Sequence, residues 1–359
     1  MVGSTLGEVS DTWRCAGVRW GGGGSPGPWL VWESRSPEGP AGEDGGAYGG
    51  RHSGGAAAER LSELVYGREV AFRAVGPRRC TGAGRGRCPL AAEVPARSTG
   101  AQCPECARLD RLRSVAADTM ADDPRPYRVY LAWFGPGMVK VGITREERGA
   151  ARLLEQGAVT FSWLGRGPLM AARRTEELLR AALGVPDRIP YAAKRAARAD
   201  LPPGPERAAE LAGLHARALA LPGRPSALEP SVFEAVDHAW VFGLERPAAS
   251  GGSAPAPASA HAPAPVLAPA SVAAPVPVAA AVTELVDGGA VAGRLVAAAG
   301  PDLHLAVAGR GIVAVDTRLM RGWGLERGAP GGGGAGAAGA GALTLPVREL
   351  RTDVQDGLF

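Results

Sequence analysis

Residues 127–158 read YRVYLAWFGPGMVKVGITREERGAARLLEQGA, and this stretch is the most informative in the chain. A β-like run closes at Tyr130, Gly135-Pro136-Gly137 makes a turn, and residues 138–143 read as the return strand. Lys140-Val141-Gly142-Ile143-Thr144 then leads into a helix expected over 146–156. On that helix Arg148 and Arg152 stand one turn apart. Like charges at this spacing cost about 0.2–0.5 kcal/mol unless something neutralises them. Either both arginines project into water, or they hold an anion together with Tyr130 and Lys140. Phosphate is the anion such donors most often bind.

Downstream, residues 159–164 (VTFSWL) read as a third strand. Pro168 opens a helix and Gly184 lies just beyond its end. Leu169, Ala172, Leu179 and Leu183 form an apolar stripe on this helix, and Glu176 falls on the same stripe. Glu177 falls on the solvated side, near Arg173 and Arg180. A charge on a buried face is costly without a partner. Glu176 is therefore expected to pair with an arginine of the preceding helix or to bind a metal in a cleft. A further helix is expected over 205–221, and residues 232–244 close this part.

Four of the five cysteines lie between 80 and 106, as Cys80, Cys88 and Cys103-Pro104-Glu105-Cys106. Four thiolates from two loops suit tetrahedral zinc. Gly82, Gly84 and Gly86 let the first loop wrap closely, and Pro104 stiffens the second. A redox C-x-x-C competes, but no thioredoxin-like βαβ pattern surrounds it. A closed four-thiolate site has no open position for catalysis, so it is assigned folding free energy and surface shape for a nucleic acid. Cys15 reads as an apolar filler.

The chain has 359 residues, with Gly (53) and Pro (31) concentrated in three segments, so less of it folds than its length suggests. Arginine outnumbers lysine 38 to two and there is no Asn, the bias of a GC-rich genome, which weakens arginine count as a sign of nucleic-acid binding. Charge distribution is stronger evidence. Residues 71–200 hold 23 Lys+Arg against 13 Asp+Glu, whereas the whole chain is only +4. A basic centre with acidic flanks fits a polyanionic partner. Both lysines, Lys140 and Lys194, fall in that centre.

No secretory pattern opens the sequence. The apolar run at 261–282 is interrupted by five prolines and reads as a linker, not a membrane span. A cytoplasmic protein with reduced thiols is expected. The layout expected is a β-rich segment over 10–79 with a flexible insertion at 36–58. The cysteine module at 80–106 and an α+β domain over 127–245 follow. A Pro/Ala linker at 247–281 then leads to a small antiparallel β unit over 282–350, with a Gly/Ala tract at 328–342.

The order hairpin, arginine helix, strand, glutamate helix resembles the GIY-YIG nuclease domain in its KIG variant. Val129-Tyr130 matches the end of the first motif and Lys140-Val141-Gly142 the second, with Lys140 in place of tyrosine. The resemblance implies Tyr130 as the tyrosine that helps activate the nucleophile, Arg152 as the arginine on the scissile phosphate, and Glu176 as the ligand of a divalent cation, Mg²⁺. No His follows Arg152 where many members carry one, and with no Asn in the chain Lys194 stands in at the late polar position. The wider series also resembles a bacterial family, the domain of unknown function numbered 2797. It runs from a Trp-rich start through RRCTG, the C-x-x-C, KVGITR and EQGA to a C-terminal β unit.

The resulting expectation is an α+β fold: a four-cysteine zinc ribbon, a GIY-YIG-like ββαβα domain and a C-terminal β unit. Its expected role is nucleic-acid binding, with phosphate held by Arg148, Arg152 and Lys194. The resemblance adds Mg²⁺-dependent phosphodiester cleavage by Tyr130, Lys140, Arg152 and Glu176. The alternatives are a non-catalytic nucleic-acid or protein interaction module on the same fold, and an enzyme that modifies a nucleotide.

Overall fold

The computed structural model describes residues 13–22, 25–34, 59–84, 86–112, 123, 125–245, 277–327 and 343–350. The insertion expected at 36–58, the linker up to 276 and the Gly/Ala tract at 328–342 lie outside the described residues.

The chain opens with β1 (Trp13–Gly22), β2 (Ser25–Ser34), β3 (Glu59–Glu63), β4 (Glu69–Val75) and helix α1 (Pro104–Leu112). The central part runs β5 (Tyr127–Trp133), β6 (Val139–Arg145), α2 (Ala151–Gln156), β7 (Thr160–Gly167), α3 (Leu169–Leu183), α4 (Tyr191–Ala197) and α5 (Gly204–Ala220). Two short strands follow, β8 (Glu229–Pro230) and β9 (Val236–Asp237). The last part is β10 (Val278–Val282), β11 (Ala290–Ala299), β12 (Asp302–Val307), β13 (Gly311–Asp316), α6 (Thr317–Met320), β14 (Gly324–Arg327) and β15 (Val347–Glu349).

The expected C-terminal β unit does not stand alone. Its strands interleave with those of the N-terminal segment in one ten-stranded sheet of order β15-β10-β13-β12-β11-β4-β14-β1-β2-β3. Strand β4 lies between β11 and β14, pairing Phe72 with Val291 on one edge and Ala74 with Leu325 on the other. The reason is exposure: β11, β12 and β13 present apolar side chains that a three-stranded meander alone leaves uncovered. The linker expected to reach 281 gives way to β10, which pairs parallel to β13. The final strand expected over 343–350 is an isolated bridge at Leu343 followed by the short β15.

The second sheet has the order β6-β5-β7-β8, with β9 also on β7. Its hairpin follows the sequence, except that β5 runs past Tyr130 to Trp133. Because β5 is central, both its faces are covered. Val129, Leu131 and Trp133 join the core beneath α3, while Tyr130, Ala132 and Phe134 pack with Leu153 of α2. The helix expected over 146–156 is broken. Gly149 takes φ 46°, leaving a 3₁₀ turn at Glu146–Arg148 and the shorter α2.

Helix α4 ties the two sheets together. Arg195 and Arg198 reach the fully buried Asp302 of β12 at 2.6 and 3.2 Å, and the Tyr191 hydroxyl donates to Ala299 O at 2.9 Å. The Trp20 indole donates to Gly300 O at 2.9 Å.

Burial also sets a pH response. Neither ring nitrogen of the buried His304 has a hydrogen-bond partner among the described residues. Burial, then the fields of Arg198 and Arg195, push its pKa from 6.5 down to about 3. Below the unfolded value of 6.5 only the unfolded chain takes the proton, so stability falls with pH from 6.5 towards the folded value. His304→Leu is expected to flatten that fall, measured as urea midpoints between pH 7.5 and 4. An unchanged slope would rule His304 out as its source.

Candidate functional site

Cys80 and Cys88 lie in the loop that precedes α1, and Cys103 and Cys106 bracket the start of that helix. All four are buried, with their sulfurs within 4.8 Å of one another. Tetrahedral zinc with bonds of ~2.3 Å needs sulfurs ~3.8 Å apart, and Cys88 and Cys103 stand at 3.9 Å. The Cys80 sulfur accepts backbone N–H bonds from Cys103 (3.1 Å) and Gly82 (3.3 Å), the environment of a thiolate. Against the effect of burial, the N–H groups of Ala92 and Leu90 bring Cys88 down to about 7. The four cysteines can therefore hold a metal ion such as zinc.

The shape differs from the expected ribbon in its second arm. Cys103-Pro104-Glu105-Cys106 is the first turn of α1 and not a hairpin knuckle, because Pro104 presets the backbone for a helix start. In the first arm Gly82 takes φ 82°, and a Cβ there would collide with Gly86 O. Asp110 of α1 accepts from Gly84 N at 2.6 Å and from the Gln102 amide, fastening loop to helix. The buried Arg78 guanidinium anchors the module. It donates to Pro95 O and Ser98 O (2.6 Å each) within it, and to Arg321 O (2.8 Å) and Arg318 O (3.0 Å) around α6.

The second cluster forms on the hairpin. Tyr130 of β5 pairs with Gly142 of β6, and its ring occupies the space a Cβ on Gly142 would need. That glycine therefore makes room for the tyrosine ring. The Tyr130 hydroxyl accepts a hydrogen bond from Gln156 Nε2 at 3.0 Å, and burial holds its pKa above 10. Lys140 lies on the same face, its Nζ 5.7 Å from the Tyr130 ring centre and 3.3 Å from Asp187 O. Burial, then Arg152, lower its pKa to about 8.

Arg148 and Arg152 do not line one helix face. Arg148 sits in the 3₁₀ turn, and both arginines converge on Glu155, at 2.8 and 3.7 Å. Glu155 supplies part of the neutralisation their like charges require.

Glu176 sits half-buried at the margin of the α3 stripe, whereas its neighbour Thr175 is fully buried and donates to Ala171 O at 2.9 Å. Leu183 at the end of the stripe is half-buried. Glu177 faces solvent and pairs with Arg180 at 3.1 Å. No hydrogen bond or ion pair fixes Glu176 among the described residues. Its field reaches Tyr130 and Lys140, and burial followed by Asp187 raises its own pKa.

Lys194 of α4 is 5% exposed. Its Nζ donates to Gln156 O at 3.4 Å and stands 3.7 Å from the Phe134 ring centre. Burial, then Lys140, lower its pKa to about 7. Both lysines of the chain thus flank the Tyr130–Gln156 pair.

Residues 67–325 match the family described as "Protein of unknown function (DUF2797)". That is well over half of the chain. The chain belongs to the DUF2797 family. The matched span takes in the cysteine module, the hairpin cluster, α4 and the strands from β4 to β13, and leaves β1–β3 and β15 outside. No curated protein and no solved structure matches the chain. Among the described residues, no helix is long and apolar enough to cross a membrane.

Sequence reasoning misses Gln156, Asp187 and the cations around α6. Gln156 stands in the EQGA element, where its signal is the break to Gly157 (φ 70°) that ends α2 and fixes where its amide can reach. Arg318 and Arg321 lie more than 100 residues downstream of the hairpin, and nothing in their local sequence connects them to it.

Proposed function

We propose that this DUF2797 protein binds nucleic acid, carries one structural zinc on its four cysteines, and cleaves phosphodiester bonds at a GIY-YIG-like site on the β5–β6 hairpin. One observation carries the last step: a half-buried Glu176 with no ion pair among the described residues, in the fields of Asp187, Lys140 and Tyr130. A carboxyl destabilised in its charged form by burial and by a second acid is one that a divalent cation would stabilise. The strand order supports the reading too, with β5 between β6 and β7 and α3 against the sheet.

Mg²⁺ held by Glu176 would supply Lewis-acid polarisation of the scissile phosphate. Arg152 is half-exposed and pairs loosely with Glu155 at 3.7 Å, a contact it would exchange for phosphate oxygens to stabilise developing charge. Two groups can act as base, and their environments separate them. Burial holds Tyr130 protonated well above neutral pH, so its hydroxyl orients the attacking water. Lys140, lowered to about 8, carries a usable fraction of neutral amine near pH 8 and takes the water proton on Nζ. Hydroxide then attacks phosphorus, and the leaving oxygen is protonated from solvent.

Cleavage of mixed DNA and RNA substrates with and without Mg²⁺ tests this reading. Glu176→Gln is expected to abolish Mg²⁺-dependent cleavage while leaving zinc content and melting temperature nearly unchanged. Lys140→Met is expected to lower the rate by about 10²–10⁴, the usual worth of a general base. Cleavage indifferent to Glu176 would remove α3 from the site. The second reading, a non-catalytic binding module, is favoured by Glu155, which pairs with both arginines. It predicts no cleavage, and binding whose log–log salt slope is about −0.7 to −0.9 per phosphate contact.

A further inference from the structure

A cavity of about 390 Å³ opens where the two sheets meet, between β1, α2, α4, the Gly300-Pro301 turn and α6. Arg152, Lys194, Arg318 and Arg321 line it, with Gln156 and Tyr191. Its size is that of a small-ligand site. Four cations face one lining carboxylate, Glu155. Glu155 is committed to Arg148 and Arg152, Asp302 to Arg195 and Arg198, and Asp316 to Arg318 at 2.6 Å. No carboxylate among the described residues pairs with Lys194 or Arg321.

Lys194 is the sharpest anomaly. An ammonium has three donors, and this one, almost wholly buried, makes one long bond to a carbonyl and otherwise faces aromatic rings. Arg321 is comparable, since its Nε is buried without a hydrogen-bond partner. Arg318 lies over the Tyr191 ring, its Cζ 4.5 Å from the ring centre, and Asp316 accepts from its Nε and Nη2. The buried Lys194, with donors unused, and the Arg321 Nε, buried without a partner, meet the half-exposed Arg152 and Arg318 at one cavity, and an unpaired buried ammonium is costly.

We propose that this cavity binds a terminal phosphate, the dianionic end of a nucleotide or of a phosphorylated oligonucleotide, between Lys194, Arg152, Arg321 and Arg318. A carboxylate offers two oxygens, whereas a terminal phosphate offers three to donors arriving from several directions, and guanidinium groups bind it in pairs of parallel bonds. A phosphodiester carries a single charge, whereas a terminal phosphate carries close to two and so neutralises more of the four cations. Glu176 does not line the cavity, so the proposal stands whether or not the hairpin cluster cleaves.

The test uses the full chain and five probes: inorganic phosphate, AMP, adenosine, and an octathymidylate with or without a 5′-phosphate. Calorimetry and thermal shift read binding, and no cleavage is required. AMP or the phosphorylated oligonucleotide is expected to bind at least tenfold more tightly than its phosphate-free counterpart. Whichever binds better identifies the source of the phosphate. At pH 8 Lys194 is mostly neutral, and a dianion beside it raises its pKa. Binding should therefore take up protons, seen as a dependence of the heat on buffer ionisation.

Lys194→Met is expected to lose at least tenfold in affinity, and below pH 7, where Lys194 is charged, the ligand-free variant is expected to melt above the wild type because an unpaired buried cation is gone. Arg321→Gln, at a half-exposed position, is expected to weaken binding with no gain in melting temperature. Phosphate-bearing probes that bind no better than their counterparts, or binding that survives both substitutions, would overturn the proposal. Phosphate binding without cleavage leaves the cavity and removes the nuclease, and cleavage without phosphate binding does the reverse.

Discussion

Cys103→Ser is expected to release the proposed zinc and to unfold the module around α1 with it. Among the described residues, the hydrophobic cluster of that module is the four cysteines and Val94, with Ala83 and Ala92 packed against them. So small a group excludes little water, and the metal takes the place of a core. Structural zinc contributes roughly 10–16 kcal/mol in small domains, comparable to the ~5–15 kcal/mol that holds a whole domain folded. A serine hydroxyl does not ionise at neutral pH, and three thiolates leave the ion with an open position. The loss also reaches α6, because three of the five carbonyls on the buried Arg78 belong to the module. Atomic absorption is expected to fall from about one zinc per chain to near none. Trypsin is expected to cut at Arg87 and Arg97, as it should in wild type treated with a strong chelator. A serine variant that keeps its metal and resists trypsin would mean that the four sulfurs gather for another reason.

The parts of the fold legible in the sequence are those whose causes are local. Gly135-Pro136-Gly137 between two apolar runs specifies the β5–β6 hairpin, and Pro168 and Gly184 bound α3 because one presets φ and the other accepts the left-handed conformation. The cysteine spacing is also local, and so is the scarcity of lysine that singles out Lys140 and Lys194. Gly149 marks the limit of such reading. Apolar and charged residues at 146–156 fit a helix, yet one glycine at φ 46° divides it and redirects Arg148 towards Glu155.

Strand pairing is not local, so the larger sheet was hidden. The alternation in β11, β12 and β13 announces strands but not partners. Their neighbour β4 lies over 200 residues earlier, with the whole hairpin domain between. The candidate site divides the same way. Tyr130, Lys140, Arg152 and Glu176 come from one contiguous stretch and are placed by their own elements. Arg318 and Arg321 reach the seam only because the C-terminal strands join the N-terminal ones, which no periodicity encodes.

That seam depends on Asp302, and Asp302→Ala is expected to be among the most damaging single substitutions in the chain. Its carboxylate is fully buried and accepts from Arg195 at 2.6 and 3.0 Å and from Arg198 at 3.2 Å. Asp316, 3.7 Å from Arg195, can recover part of that partnership. No second carboxylate pairs with Arg198 among the described residues, and its remaining contacts are Gly157 O and the Tyr191 hydroxyl. Deleting one member of a buried ion pair typically costs about 3–5 kcal/mol, because the surviving charge is left in a poor solvent. At ~2–4 °C per kcal/mol for a chain of this size, the melting temperature is expected to fall by roughly 6–20 °C. Adding Arg198→Met to Asp302→Ala is expected to restore part of that loss, since the double variant buries one charge fewer. This non-additivity is the signature of a direct pair. If Asp302→Ala costs less than about 1 kcal/mol, the upper limit usual for a solvent-exposed pair, then water reaches the seam and α4 does not clamp the two sheets.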